Sequence, residues 1–155
     1  MQSVREGTTW MLRLDAGEPL VETLGEWARR ERIQAASVLA GIGMVRDTEI
    51  GYYRGTAYDK ATFPEPLELL GLAGSIAWEE DRPSLHLHLL GGRGDHTTVG
   101  GHLFGTTVAV LAEITVQVFP GHRFRRPPVP GTVLRALSLV DDAQGPPAPA
   151  GGPRR

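Results

Sequence analysis

The sequence of 155 residues contains no cysteine. Disulfide bonds and thiolate metal sites are therefore excluded, and any metal ion must be bound through nitrogen or oxygen. No apolar run approaches the roughly 18–20 residues that a membrane-spanning helix requires. The N-terminal stretch MQSVREGTTW also lacks the apolar segment of a signal peptide. We therefore expect a cytoplasmic protein without a membrane anchor.

An excess of positive charge is also missing. The chain has 16 lysines and arginines against 18 acidic residues, which gives a formal net charge of −2. Nonspecific nucleic-acid binding depends on clustered basic residues that neutralise phosphates, so the charge of the whole chain does not favour it. A local basic patch stays open as an alternative. The apolar fraction of 41% and the charged fraction of 22% are typical of a globular domain.

The spacing of apolar residues predicts one main helix. Between residues 20 and 33 they recur at intervals of three and four, which places them on one helical face. Pro19 fits the first turn of this helix, where its missing N–H costs little. The apolar residues of this face are Leu20, Val21, Leu24, Trp27 and Ala28.

Most other apolar segments are typical of β-strands, because they are rich in β-branched residues or alternate with polar ones. We expect strands at residues 8–14, 48–54, 67–78, 85–90, 106–119 and 132–140. The segment 33–42 ends in a turn signal at residues 41–43, and loops are expected at 55–66, 91–101 and 122–130.

Many strands with one helix, and no regular alternation of the two, predict an α+β fold. Its sheet should be mainly antiparallel, with one principal packing helix. We assign residues 1–141 to a single domain. The segment 142–155 is rich in proline and glycine and is expected to be a disordered tail.

His86 and His88 are separated by one residue in the predicted strand LHLHLL. Residues two apart on a strand share a face and lie about 7 Å apart at the backbone. Two imidazoles in this arrangement can converge on one ion. The leucines at positions 85, 87 and 89 are expected to point the other way, into the core.

His102 is the third candidate ligand. It follows Gly100 and Gly101, which allow the backbone to bend tightly, so the intervening loop can bring it to the pair. Three imidazoles with an open fourth position are typical of zinc sites, and nickel or copper also accepts them. The alternative is a polar, solvent-facing histidine pair. His96 is a weaker alternative ligand, and His122 is expected to face solvent.

Glu113 interrupts an otherwise apolar strand. A buried carboxylate is costly unless it is paired or bound to a metal. Glu113 either lies on a solvent-exposed or subunit-contact face, together with Thr115 and Gln117, or takes part in the metal site. In the second case it is a ligand, a partner that orients a histidine, or a base that accepts a proton from bound water. Arg13 on the first strand is its candidate ion partner.

A basic segment near the C-terminus is a candidate nucleic-acid contact. Arg123, Arg125 and Arg126 surround Phe124, and such a group can contact phosphates or stack on a base. The alternative is a solvated charged surface.

Six motifs occur in the order in which they occur in a known family. They are LDAGEPL at 14–20, SVLAGIG at 37–43, ELLGLAG at 68–74, LHLHL at 85–89, GGHL at 100–103 and AEIT at 112–115. From about residue 8 to residue 140 the chain therefore resembles the plant-and-prokaryote-conserved (PPC) domain. The histidine motifs are its most specific part.

The resemblance implies an α+β fold, a homotrimer and a metal site at His86, His88 and His102. Glu113 matches a strand carboxylate of the family. Family members are often labelled DNA-binding, but the plant proteins carry a preceding AT-hook that this chain lacks.

We therefore expect a metal-binding, self-assembling module with a DNA-associated or regulatory role. Its cofactor is expected to be a divalent metal, zinc above others. The strand from Val108 to Val118 is apolar on one face and partly apolar on the other, which favours an oligomer in which a helix covers one face and a neighbouring subunit the other. The alternative function is a small metal-dependent enzyme in which Glu113 is the general base. DNA binding would need a continuous basic surface shared between subunits.

Overall fold

The computed structural model describes residues 1–141, so the tail expected at 142–155 lies outside the described residues. The described part has one helix, α1, at Leu20–Arg30. The strands are β1 (Gln2–Glu6), β2 (Thr9–Asp15), β3 (Ala36–Tyr53), β4 (Tyr58–Phe63), β5 (Leu67–Glu79), β6 (Arg82–Gly92), β7 (Thr98–Val118), β8 (His122–Arg125) and β9 (Ser138–Asp141).

Seven strands form one antiparallel sheet in the order β1-β2-β7-β6-β5-β3-β4, and β8 pairs with β9 in a separate ribbon. Strand β3 also pairs with β7. The four strands β7, β6, β5 and β3 therefore form a closed circuit of hydrogen-bonded neighbours. The predicted α+β class, with a mainly antiparallel sheet and one packing helix, is confirmed.

The helix buries the apolar face that its sequence spacing predicts. Leu20, Leu24, Trp27 and Ala28 are fully buried against the sheet. The ring of Trp27 meets that of Trp10 edge to face, with the ring centroids 5.3 Å apart. Each large apolar side chain buried in this way contributes about 1.5–3 kcal/mol to stability. No helix of residues 1–141 is both long and apolar enough to cross a membrane.

Alternate side chains of strand β6 lie in the core and on the opposite, outer face of the sheet. Leu87 and Leu89 are only 1% and 3% exposed and belong to the core. His86 and His88 alternate with these leucines in sequence and point outward, half-buried and exposed respectively. The expected alternation of leucine and histidine is therefore confirmed.

The predicted turn at residues 41–43 is wrong, because β3 continues through it as one strand of 18 residues. Gly43 has a φ of 139°, and a Cβ at this position would lie 2.1 Å from the carbonyl oxygen of Leu111. The β3–β7 pairing shifts register between Gly43 and Val45. The glycines thus mark an irregular strand with close backbone approach rather than a chain reversal.

Other boundaries also differ from the sequence prediction. Strand β4 lies within the predicted loop 55–66, β8 lies within the predicted loop 122–130, and β1 was not predicted. Strand β9 covers only the end of the segment 132–140. Strand β7 begins at Thr98, so the loop predicted at 91–101 shrinks to a turn of residues 93–97. Val110 is 58% exposed, because the register shift interrupts the alternation of β7.

Candidate metal centre

Two adjacent strands, β6 and β7, bring the predicted histidines together on the outer face of the sheet. His88 of β6 pairs directly with His102 of β7, and His86 lies opposite Ser75 of β5. His102 therefore reaches the pair through strand register rather than through a bent loop. Strands β5 and β6 approach closely here, since a Cβ on Gly74 would lie 1.9 Å from the carbonyl oxygen of His86.

The spacing of the imidazoles suits a single ion. The Nε2 atoms of His86 and His88 are 3.1 Å apart, and the ligand atoms of all three histidines lie within 4.8 Å of one another. In a tetrahedral zinc site with bonds of about 2.0–2.1 Å, neighbouring ligand nitrogens lie about 3.3 Å apart. No other histidine or carboxylate of residues 1–141 joins the cluster, so these ligands leave a coordination position open.

His102 supplies an independent test of the fit. Its Nδ1 atom is buried and has no hydrogen-bond partner among the described residues. The ring is fixed between Tyr58 and Phe104, whose ring centroids lie 4.9 and 4.8 Å from its own. Buried polar atoms without partners are rare and costly, and an ion is one partner that satisfies an imidazole nitrogen. The donor set therefore fits a borderline-soft divalent metal such as zinc.

The surroundings favour neutral imidazoles. Burial, followed by the charges of Arg126, His102 and His88, lowers the pKa of His86 to about 4. Burial is also the largest cause of the lowered pKa of His102, with His88, Arg126 and Lys60 adding to it. Metal ions bind the neutral ring, so these shifts reduce the competition between protons and a metal at neutral pH.

Arg126 lies at this cluster and not on an exposed loop. It is only 5% exposed, and its Nη1 donates to Nδ1 of His86 at 3.0 Å. Its Nη2 donates to the Ser75 hydroxyl, and Arg135 holds the carbonyl of Arg126 from outside at 2.8 Å. The sequence prediction placed Arg126 with Arg123 and Arg125 as nucleic-acid contacts. The local pattern contains no signal that separates Arg126 from Arg125.

The other two arginines of that group have different surroundings. Arg125 is exposed, whereas Arg123 is half-buried and its Nε has no partner among the described residues. The structure therefore does not present three arginines on one accessible loop.

Glu113 lies outside the histidine cluster. It is eleven positions further along β7 than His102, which corresponds to about 36 Å along a straight strand. Its neighbours across the sheet are Arg13 of β2 and Ile42 of β3. Arg13 makes its ion pair with Asp15 at 2.9 Å. The geometry of one chain therefore does not support Glu113 as a base or an orienting partner at this cluster.

The remaining two histidines also lie elsewhere. His96 sits at the tip of the β6–β7 turn with a φ of 66°, where its N–H donates to the carbonyl of Arg93. His122 is the first residue of β8. Neither belongs to the cluster.

A cavity of about 310 Å³ opens beside the cluster. Its polar lining consists of Ser84, His86, His102, Arg126 and Arg135, and its remaining lining residues are apolar or aromatic. Sequence reasoning missed this cavity, because its walls come from β4, β6, β7 and the segment that follows β8. The apolar and aromatic walls are Tyr58, Leu85, Phe104, Val133 and Leu134.

Solved structures share this fold over most of their length. A protein from Ralstonia eutropha JMP134, described as a candidate DNA-binding protein, is 33% identical, with a TM-score of 0.81 over 89% of this chain and 96% of its own. A metal-containing protein from Archaeoglobus fulgidus is 35% identical, with a TM-score of 0.78 over 85% and 94%. A plant- and prokaryote-conserved protein from Pyrococcus horikoshii is 28% identical, with a TM-score of 0.75 over 87% and 93%.

The chain is also similar to part of a longer protein. It is 33% identical over 144 residues to the bifunctional protein GlmU of Synechococcus sp. (strain JA-2-3B'a(2-13)), which covers 92% of this chain but only 22% of that protein. The chain thus spans about a fifth of the length of the curated relatives it matches. The family model of the Plants and Prokaryotes Conserved (PCC) domain, also abbreviated PPC, matches residues 1–120, and the chain belongs to this family.

Proposed function

We propose that this protein is a metal-binding, self-assembling module that holds one divalent ion per chain, zinc above others, through His86, His88 and His102. The convergence of the three imidazoles on one outer face carries the proposal. The metal-containing relative from Archaeoglobus fulgidus supports it, because it is 35% identical and shares the fold. An all-nitrogen donor set suits zinc, copper or nickel better than magnesium or calcium.

Elemental analysis by mass spectrometry tests the site. Protein purified in metal-free buffer, offered zinc and freed of excess should retain about one ion per chain. The double substitution His86→Ala with His88→Ala should abolish this retention. The matched control is His96→Ala with His122→Ala, which removes two histidines outside the cluster and should keep the ion. Zinc that stays on the first double variant, or that never binds the wild type, contradicts the proposal.

We further propose that the outer face mediates self-assembly, with the trimer that the family resemblance implies. Leu39, Ile42, Leu70 and Leu90 are exposed and line one apolar groove, and His88 lines the same groove. Contiguous apolar surface of this kind is typical of subunit contacts. An assembled neighbour would therefore cover the exposed side of the histidine cluster.

Leu70→Glu tests this surface. A charge in a closed apolar contact is costly, so the mass measured by light scattering should fall from that of three chains towards that of one. Leu137→Glu is the matched control, because Leu137 is similarly exposed but does not line the groove. A wild-type chain that is monomeric at all concentrations contradicts the proposal.

A DNA-associated or regulatory role has weaker geometric support. Relatives of this fold are described as candidate DNA-binding proteins. In this chain, however, the net charge is −2, and only Arg125 of the three predicted contact residues is exposed. If DNA is bound, Arg125→Gln should weaken binding of a duplex and reduce its salt dependence, measured by fluorescence anisotropy.

A further inference from the structure

The buried guanidinium of Arg126 has no acidic partner among residues 1–141. Burial lowers the pKa of Arg126, and the charge of Glu79 only partly opposes this effect. Glu79 makes its ion pair with Arg135 instead. The hydrogen bonds of Arg126 go to His86 and Ser75, and its Nε has no partner among the described residues. A buried charge without a counter-ion is costly. The arrangement therefore points to an anion that residues 1–141 do not supply.

The hydrogen bond from Arg126 determines which nitrogen of His86 carries the proton. A guanidinium has donors only, so Nδ1 of His86 must accept, and the proton of the neutral ring lies on Nε2. This Nε2–H then donates to Nε2 of His88 at 3.1 Å. The two contacts form a consistent chain of donors from Arg126 to His88.

Metal binding through Nε2 of His86 is incompatible with these two hydrogen bonds. An ion bound through Nε2 of His86 needs the lone pair there, which moves the proton to Nδ1. Two N–H groups would then face each other across the 3.0 Å between Nη1 of Arg126 and Nδ1 of His86. The Arg126–His86 hydrogen bond must therefore break when the ion binds. Arg126 is then buried without the hydrogen-bond acceptor that His86 provided.

The cavity beside the cluster indicates the size and chemistry of the anion that could accept hydrogen bonds from Arg126. Its volume of about 310 Å³ is at the lower end of the range of ligand sites. Arg126 reaches it from one side, and Tyr58, Phe104 and Leu134 form apolar walls. A carboxylate matches the planar fork of a guanidinium, and an apolar body matches the walls. A phosphate would use the charge but leave these walls uncovered.

We propose that Arg126 and the apolar cavity bind a small carboxylate with an apolar body, and that metal loading creates this site by releasing Arg126 from His86. The inference rests on the proposed metal function. It adds a ligand class and an order of binding, in which the ion precedes the anion. Because the coupling is reciprocal, the carboxylate also tightens metal binding.

Benzoate is the probe, and isothermal titration calorimetry is the measurement. Zinc-loaded wild-type protein should bind benzoate at least about tenfold more tightly than zinc-free protein. Benzamide has the same shape without the charge and should bind at least about tenfold more weakly than benzoate. Inorganic phosphate should also bind more weakly than benzoate, because it cannot use the apolar walls. Phosphate binding as tight as that of benzoate overturns the assignment of the apolar cavity.

Arg126→Gln separates the proposal from a merely structural role. This variant should lose benzoate binding about tenfold or more, yet bind zinc as tightly as the wild type or more tightly, because the group that competes for His86 is gone. Arg82→Gln, which changes an exposed arginine at the start of β6, is the matched control and should change neither affinity. Circular dichroism checks that both variants fold. If Arg126→Gln does not fold, the benzoate and benzamide comparison on the wild type decides.

The outcomes distinguish this inference from the function on which it rests. Full zinc occupancy without benzoate binding, or with equal benzoate binding by Arg126→Gln, overturns the inference and leaves the metal site standing. A wild-type chain that retains no zinc overturns both. Benzoate affinity that is the same with and without zinc overturns the proposed order of binding.

Discussion

The two ends of β7 place titratable side chains in very different surroundings. At the His102 end, β6 contributes two further histidines, and Arg126 closes the group from the other side. At the Glu113 end, the directly opposite residues are Arg13, which pairs with Asp15, and the exposed Ile42. At the first end, Nδ1 of His102 is buried and has no hydrogen-bond partner among the described residues. At the second end, the Glu113 side chain has no buried atom that lacks a partner.

The comparison shows that a polar residue on an apolar strand does not by itself indicate a site. Both His102 and Glu113 interrupt apolar sequence on the same strand. Only His102 has neighbours, both on the adjacent strand β6, that aim donor atoms at the same point. The convergence of several side chains, which strand register creates, is the property that distinguishes the two ends.

The largest expected difference between the two ends is in zinc affinity. His102→Ala removes one of three direct ligands, so zinc affinity should fall on the order of a thousandfold. This exceeds the 10–100-fold typical of losing an orienting partner. Glu113→Gln should leave the affinity within about twofold. Competition against a chromophoric chelator measures the zinc affinity of both variants. An equal loss of affinity in the two variants would contradict the assignment of the metal site to the His102 end.

Glycine substitutions near the two ends should change the free energy of unfolding in a way that separates them. Gly74→Ala and Gly43→Ala each place a Cβ against a backbone oxygen, so each should lower the free energy of unfolding by about 3 kcal/mol. Only Gly74→Ala should also weaken zinc binding, because the displaced oxygen belongs to His86. Gly105→Ala has open space around its Cβ and should change stability by less than about 0.5 kcal/mol. Urea denaturation of the metal-free proteins measures these differences.

The His102 end should also make the metal-free protein sensitive to acid. The pKa of His86 is about 4 in the folded chain and about 6.5 when unfolded. Between these values the unfolded chain binds more protons at this position, so stability falls as the pH falls. The urea midpoint should therefore decrease from pH 7 to pH 5, and His86→Gln should show a smaller decrease. An unchanged pH dependence in His86→Gln would show that this ring does not contribute.

The smallest expected effect concerns the Glu113 end. Arg13 should couple more strongly to Asp15 than to Glu113, and both coupling energies should stay below about 1 kcal/mol because the groups are solvent-accessible. Double-mutant cycles with Arg13→Gln, Asp15→Asn and Glu113→Gln measure them. A coupling of Arg13 to Glu113 that exceeds its coupling to Asp15 would restore the ion pair expected from sequence.

Local pattern predicted the elements whose periodicity is strong. The helix predicted at residues 20–33 is present but ends at Arg30, and the alternation around His86 and His88 was correct, because amphipathic spacing reports directly on burial. The glycines at 41–43 were misinterpreted as a turn, since a glycine that permits a reversal and one that permits close strand approach look alike in sequence. The strand Tyr58–Phe63 was missed because most of its residues are exposed and polar.

The sequence predicted the three candidate ligands but not the residues that surround them. His86, His88 and His102 carry a local signal in their spacing and flanking glycines. Arg126, Tyr58 and Phe104 carry none, because they meet the histidines only through tertiary contacts. The buried position of Arg126 depends on the segment that follows β8 folding back onto the sheet.

The pairing of His88 with His102 has a consequence for how related sequences can diverge. Four further residue pairs separate this pair from the turn at residues 93–97. Insertions at the tip would therefore leave the histidines in place. A deletion of one residue between His88 and the tip would instead turn one histidine towards the core. The fold therefore tolerates changes in loop length at this hairpin, whereas a change in the length of either strand would separate His88 from His102.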